Sequence, residues 1–218
     1  PGETLHGGEP HACVYECLVF DLYGLFYKLE AVKSWLRPFY RKQYLPHVIK
    51  MVSKYKDSPA IAMWEIINEP GEADWATLRD FLHEVAATIK KYDPNHLVES
   101  GTFAGWAYDG VANYKAMHDS PHIDVGNLHE YDYDYQNSNT IESPHFEPCL
   151  KAMYELDKVL IVGETGINSG DNCRTSRQRR VEAMREKFDI YLGMGAGAVF
   201  VWNLANEKLQ NDPTMTAR

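Results

Sequence analysis

The chain has 218 residues, 44% hydrophobic and 24% charged, and its 22 basic and 31 acidic residues leave a formal net charge of −9. That balance excludes a protein that grips nucleic acid through a basic face, and no run of 18 apolar residues exists to cross a membrane. Aromatic residues make up 12%, with 14 Tyr and 5 Trp, a surplus that suits flat amphipathic ligands as well as a large core.

The N-terminal PGETLHGGEP has no basic region followed by an apolar stretch, so no signal peptide is visible. Strand-like apolar runs and helix patterns then alternate. VYECLVFDL (14–22) is the first run, and a helix is expected from Pro46, which suits a first helical position. AIAMWEII (60–67) is the second run. Asp74 can cap the helix that follows, in which Trp75, Leu78, Leu82, Val85 and Ile89 recur at steps of three and four as a core face. DPN (93–95) turns the chain into HLVES (96–100), the third run, and IDVGNLH (123–129) is the fourth. Ser143-Pro144 opens a helix through Leu150 and Tyr154, and KVLIVGE (158–164) is the fifth run. Thr175 and Gln178 have capping-box spacing before a helix carrying Val181, Met184, Phe188 and Tyr191. Gly193 ends that helix, and AVFVWNL (198–204) is the sixth run.

There is no linker, repeat or low-complexity segment, so residues 1–218 are read as a single domain. Apolar strands alternating with amphipathic helices mean a parallel sheet covered by helices, either an open doubly wound sheet or a barrel. Cys13, Cys17, Cys149 and Cys173 form no CxxC and fit no zinc spacing; Cys149 and Cys173 can pair or stay as buried thiols.

Polar residues gather at the C-terminal ends of the runs: Asp21, Asn68-Glu69, His129 with Tyr131, Glu164, and Trp202-Asn203. Ligands of parallel α/β sheets meet that edge, and convergence from several strands is the habit of a (β/α)8 barrel. Glu69 and Glu164 are 95 residues apart, three strand–helix units of roughly 30 residues. Two carboxyls on one rim can cleave a glycoside, one protonating the leaving oxygen and the other attacking or activating water. Pro70 biases Glu69 to an extended backbone, and Asn68 offers an amide to a sugar hydroxyl. Glu65 reads as a structural acid inside the barrel, paired with a basic group. Trp106, in GTFAGWAYDG (101–110), is either a subsite aromatic or a hydrophobic plug. DYDYQN (132–137) lacks the glycine and final glutamate of a calcium loop, so no metal is expected there.

YKDSPAIAMWEIINEP (55–70), His129-x-Tyr131, Glu164 at the end of KVLIVGE and Trp202 in the last run together resemble glycoside hydrolase family 5, the cellulase family of clan A. The resemblance runs from about residue 14 to 204. It implies a (β/α)8 TIM barrel and a retaining hydrolase acting on β-1,4-linked cellulose- or mannan-type polysaccharide, secreted and with no cofactor or metal. By position it implies Glu69 as general acid/base and Glu164 as nucleophile. Asn68 is then matched to the 2-hydroxyl, Tyr131 to the nucleophile, His129 to the acid/base and Trp202 to sugar stacking.

The match departs from the family at both ends. VYECLVFDL corresponds to the family's third strand, yet only 13 residues precede it. Two further strand–helix units do not fit there, so the expected fold is an incomplete barrel lacking the first two units, with a partner segment as one way of closing it. A competing reading is an impaired relative that only binds glycans through Trp202, Trp106 and its tyrosines.

Overall fold

Six of the apolar runs contain strands. The computed structural model describes residues 19–21, 39–70, 74–135, 141–167 and 177–202. Its strands are β1 (Val19–Asp21), β2 (Met63–Glu65), β3 (Leu97–Glu99), β4 (Val125–Glu130), β5 (Val159–Thr165) and β6 (Ala198–Val201). All pair in parallel and in chain order, β1-β2-β3-β4-β5-β6. A doubly wound sheet reverses its strand order at a switch point, and this sheet has no reversal. The described residues form part of a (β/α)8 barrel.

Side chains alternate across each strand, so the sheet has two faces. On one, Trp64, Ile66, Val98, Leu128, Leu160 and Val162 join residues from the helices in one large core. On the other, Met63, Val125 and Ile161 pack with Ala198 and Phe200 and, among the described residues, with no hydrophobic side chain of a helix. The second face is the barrel interior, and it leads up to the rim. The β4–β5 pairing slips once: Leu128 pairs with Val162 but His129 with Glu164, leaving Gly163 as an extra residue. This β-bulge turns Glu164 to the same interior face as His129. Gly163 is required, because a Cβ there would stand 2.2 Å from Oδ1 of Asn127.

The helices are α1 (Phe39–Tyr55), α2 (Trp75–Tyr92), α3 (Val111–His118), α4 (Asp132–Tyr135), α5 (Phe146–Glu155) and α6 (Arg177–Met194). Asp74 caps α2 as expected, accepting from Ala76 N at 3.2 Å. Leu78, Leu82, Val85 and Ile89 are buried, each side chain contributing about 1.5–3 kcal/mol on leaving water. Trp75 departs from that stripe: it is half-buried, with the Arg79 guanidinium 5.6 Å over its ring, not a core residue.

Two helices differ from expectation. Pro46 lies inside α1 rather than at its start. A proline there removes one hydrogen bond and crowds the preceding turn. Tertiary contacts hold that turn: the Tyr40 and Tyr44 rings pack on Phe81, and Arg41 forks onto Glu84 at 2.8 and 2.6 Å. In α6 the buried side chains are Ala183, Lys187 and Tyr191, whereas Val181 is exposed. Val181, Met184 and Phe188 instead line an open cavity of about 640 Å³ together with Gly166 and Trp202. Cys149 is a buried free thiol of α5, while Cys13, Cys17, Cys173 and the expected cap Thr175 lie outside the described residues.

Candidate active site

The rim assembles three side chains from three strand ends. His129 Nδ1 lies 2.9 Å from Glu69 Oε1 and 3.6 Å from Glu164 Oε2. One carboxylate oxygen of Glu69, one of Glu164 and a ring nitrogen of His129 all fall within 4.8 Å of one another. Facing two carboxylates, Nδ1 is the nitrogen that carries hydrogen, since a bare lone pair there would be repelled. The other ring nitrogen, Nε2, is buried and has no hydrogen-bond partner among the described residues.

Each residue is held from the backbone upward. Glu164 is 5% exposed, aligned by the bulge, and its Oε2 accepts from the Tyr131 hydroxyl at 2.8 Å. Beside it, Thr165 Oγ1 donates to Glu130 Oε2 at 3.0 Å, and Lys187 pairs with the same oxygen. The outward-facing Glu130 therefore ties β4, β5 and α6 together directly behind His129 and Glu164.

Glu69 is the conformational exception. Its φ is 48°, in the left-handed region that residues with a Cβ avoid, and not the extended backbone expected before Pro70. The cause is long-range: Glu69 N donates to Gly101 O at 2.8 Å, which overrides the local preference. Pro70 O in turn accepts from the buried Tyr108 hydroxyl at 3.3 Å. The Glu69 side chain remains 31% exposed, toward the open cleft.

The remaining expected residues surround this centre unevenly. Asn68 is exposed next to Glu69. Trp202 is 49% exposed just past β6, its backbone N bonded to Thr165 O at 2.9 Å. Gly166 separates it from Tyr131, and a Cβ there would meet Trp202 O at 2.4 Å and the Tyr131 ring at 3.2 Å. Trp106 is 57% exposed and is not a plug; it stands farther out, 6.0 Å from the Phe103 ring, which lies edge-on to His129 at 6.3 Å. Phe103 also bridges His129 in the sheet and was not foreseen; its only signal was an aromatic residue soon after a strand end. Among the described residues, Glu69, His129 and Glu164 are the one group whose donors converge closely enough for an ion.

The sequence model described as Cellulase (glycosyl hydrolase family 5) matches residues 37–198. The chain belongs to glycoside hydrolase family 5. Within the family it is 29% identical over 184 residues to mannan endo-1,4-beta-mannosidase 8 of Oryza sativa subsp. japonica, covering 70% of this chain and 49% of that protein. It is 35% identical over 129 residues to the probable mannan endo-1,4-beta-mannosidase C of Aspergillus terreus, covering 49% of this chain and 30% of that one. The chain thus spans about half or less of the length of these curated relatives. In fold it resembles the endo-1,4-beta-D-mannanase of Thermotoga petrophila, with a TM-score of 0.67, 19% identity, and coverage of 90% of this chain and 66% of that one.

Proposed function

We propose that this family 5 domain is the catalytic part of a retaining β-glycoside hydrolase of the endo-β-1,4-mannanase type. The observation that carries the reading is the approach of Glu69 and Glu164 to within 4.8 Å across the rim. Retaining glycosidases hold their carboxyls about 5–5.5 Å apart, while inverting ones leave a wider gap for water. Mannan is preferred over cellulose because the relatives named above are mannosidases.

In this reading Glu69 protonates the glycosidic oxygen as Glu164 attacks the anomeric carbon. The bond to the leaving sugar breaks and a glycosyl ester forms on Glu164. Glu69, now a carboxylate, takes a proton from the water that hydrolyses the ester. Tyr131 holds one oxygen of the nucleophile, and the Nδ1–H of His129 holds the Glu69 carboxylate in its anionic stage. In the same reading Asn68 meets the 2-hydroxyl, and Trp202 and Trp106 stack on sugars.

The test compares wild type with Glu164→Gln on aryl β-mannosides and on mannan and cellulose. Turnover should favour mannan, release product with retained anomeric configuration, and fall by several orders of magnitude in the variant while oligosaccharide binding persists. Binding without turnover in both proteins would replace the enzyme by a glycan-binding module. An inverted product would overturn the assignment of Glu164 as nucleophile.

A further inference from the structure

A second pair of acids lies beneath the rim. Glu65 and Glu99 sit on adjacent strands in direct register, and both are buried, 1% and 0% exposed. Directly across from Glu65 lies another carboxyl, that of Glu99. Burial pushes Glu99 up, against the opposing pulls of Glu65, the Asn127 amide, the Gly101 N–H and the nearby His129. A buried acid in such company needs a reason, because leucine would cost less at that place.

The hydrogen bonds supply one. Glu99 Oε2 accepts from Gly101 N at 2.5 Å and from Asn127 Nδ2 at 2.7 Å. The Glu99 carbonyl accepts from Ile66 N at 3.0 Å, and the Gly101 carbonyl accepts from Glu69 N at 2.8 Å. Gly101 has φ 71°, and a Cβ on it would lie 1.9 Å from Ile67 O, so the two turns are pressed together with no slack. On the far side, the space left by Gly163 admits Asn127, the amide that steadies Glu99. An unbroken chain of contacts therefore runs from β4 through Glu99 to the backbone of Glu69.

We propose that Glu99 is a positioning residue: its buried carboxyl holds the Gly101 turn, which holds Glu69 in the left-handed conformation that aims its carboxyl at His129 and Glu164. The role rests on the reading of Glu69 as acid/base. A misaimed Glu69 fails at protonating the leaving group, so the defect should grow as the leaving group becomes a poorer one. General loosening of the fold slows all substrates alike.

The experiment measures kcat/KM on aryl β-mannobiosides of graded leaving-group acidity for wild type, Glu99→Gln, Glu99→Leu and Glu99→Asp, with Glu69→Ala as reference. Gln can place its carbonyl oxygen where Oε2 sits, so E99Q should stay close to wild type throughout. E99L, and E99D with its retracted carboxyl, should lose about 10- to 100-fold on the poorest leaving group, the worth of one charge-assisted hydrogen bond, and far less on the dinitrophenyl substrate. The ratio of the two substrates within one variant is independent of the fraction folded, and E99D serves if E99L does not fold. Equal losses on all substrates in E99L and E99D, with a graded loss in E69A, overturn this inference alone. An ungraded loss in E69A overturns the acid/base reading and this inference with it.

Discussion

Glu69 combines a left-handed backbone, φ 48°, with a carboxyl 2.9 Å from His129. Such a conformation costs a residue with a Cβ about 1–2 kcal/mol, and asparagine tolerates it better. Glu69→Asn should therefore raise the unfolding free energy by about 1 kcal/mol in urea titration while abolishing turnover. Unchanged or lower stability would mean the turn is relaxed as it stands. At this scale the sequence revealed positions but not conformations. Asn68-Glu69, His129, Tyr131 and Glu164 stand out as polar residues at the ends of apolar runs. The φ of Glu69 does not, because Pro70 argues locally for extended backbone while the deciding partner, Gly101 O, arrives from another strand.

Among the elements, α6 departs furthest from its sequence pattern. The spacing of Val181, Met184, Phe188 and Tyr191 proposes one face; the structure buries Tyr191 from it but otherwise turns inward the face around Lys187, fully enclosed against Glu130. A buried cation is tolerated only when paired, and its partner comes 57 residues earlier in the chain, so periodicity has no access to it. Lys187→Met should destabilise the fold by about 3–5 kcal/mol, since it leaves the Glu130 carboxyl buried without its cation. Thermal or urea unfolding would measure this, and the further change Glu130→Leu should recover a large part of the loss. Pro46 teaches the same point for α1, where aromatic packing on Phe81 extends the helix ahead of a residue that usually starts one. By contrast α2 was legible but for Trp75, because Asp74 and the Leu78–Ile89 stripe act within their own helix.

For the molecule as a whole, the order of strands was legible from the succession of apolar runs, since each helix returns the chain to the same edge. Folding stability depends on pH through buried groups that the pattern of runs does not disclose. His118 is wholly buried; its Nδ1–H donates to Tyr114 O at 2.8 Å, and Nε2 accepts from Ser100 Oγ at 2.8 Å. Burial lowers this imidazole from 6.5 to about 4. Between those values the unfolded chain binds the proton and the folded one does not. Stability present above pH 6.5 is therefore lost as pH falls toward 4, by about 3 kcal/mol from this residue. Urea denaturation at pH 7 and pH 4.5 should show that loss in wild type and a smaller one in His118→Gln.

Among the described tryptophans, burial sets Trp64 apart from Trp106 and Trp202, with the half-buried Trp75 between them. Trp64 is fully enclosed, with Nε1 bonded to Asp93 Oδ2 at 2.8 Å, while Trp106 and Trp202 are 57% and 49% exposed. An enclosed indole emits at shorter wavelength and is shielded from acrylamide; exposed indoles emit to the red and are quenched readily. If Trp106 and Trp202 stack on sugar as proposed, a β-linked oligosaccharide should protect their share of the red emission and leave the blue emission of Trp64 unmoved. Unfolding should shift the blue component, so one emission spectrum separates occupancy of the cleft from integrity of the barrel.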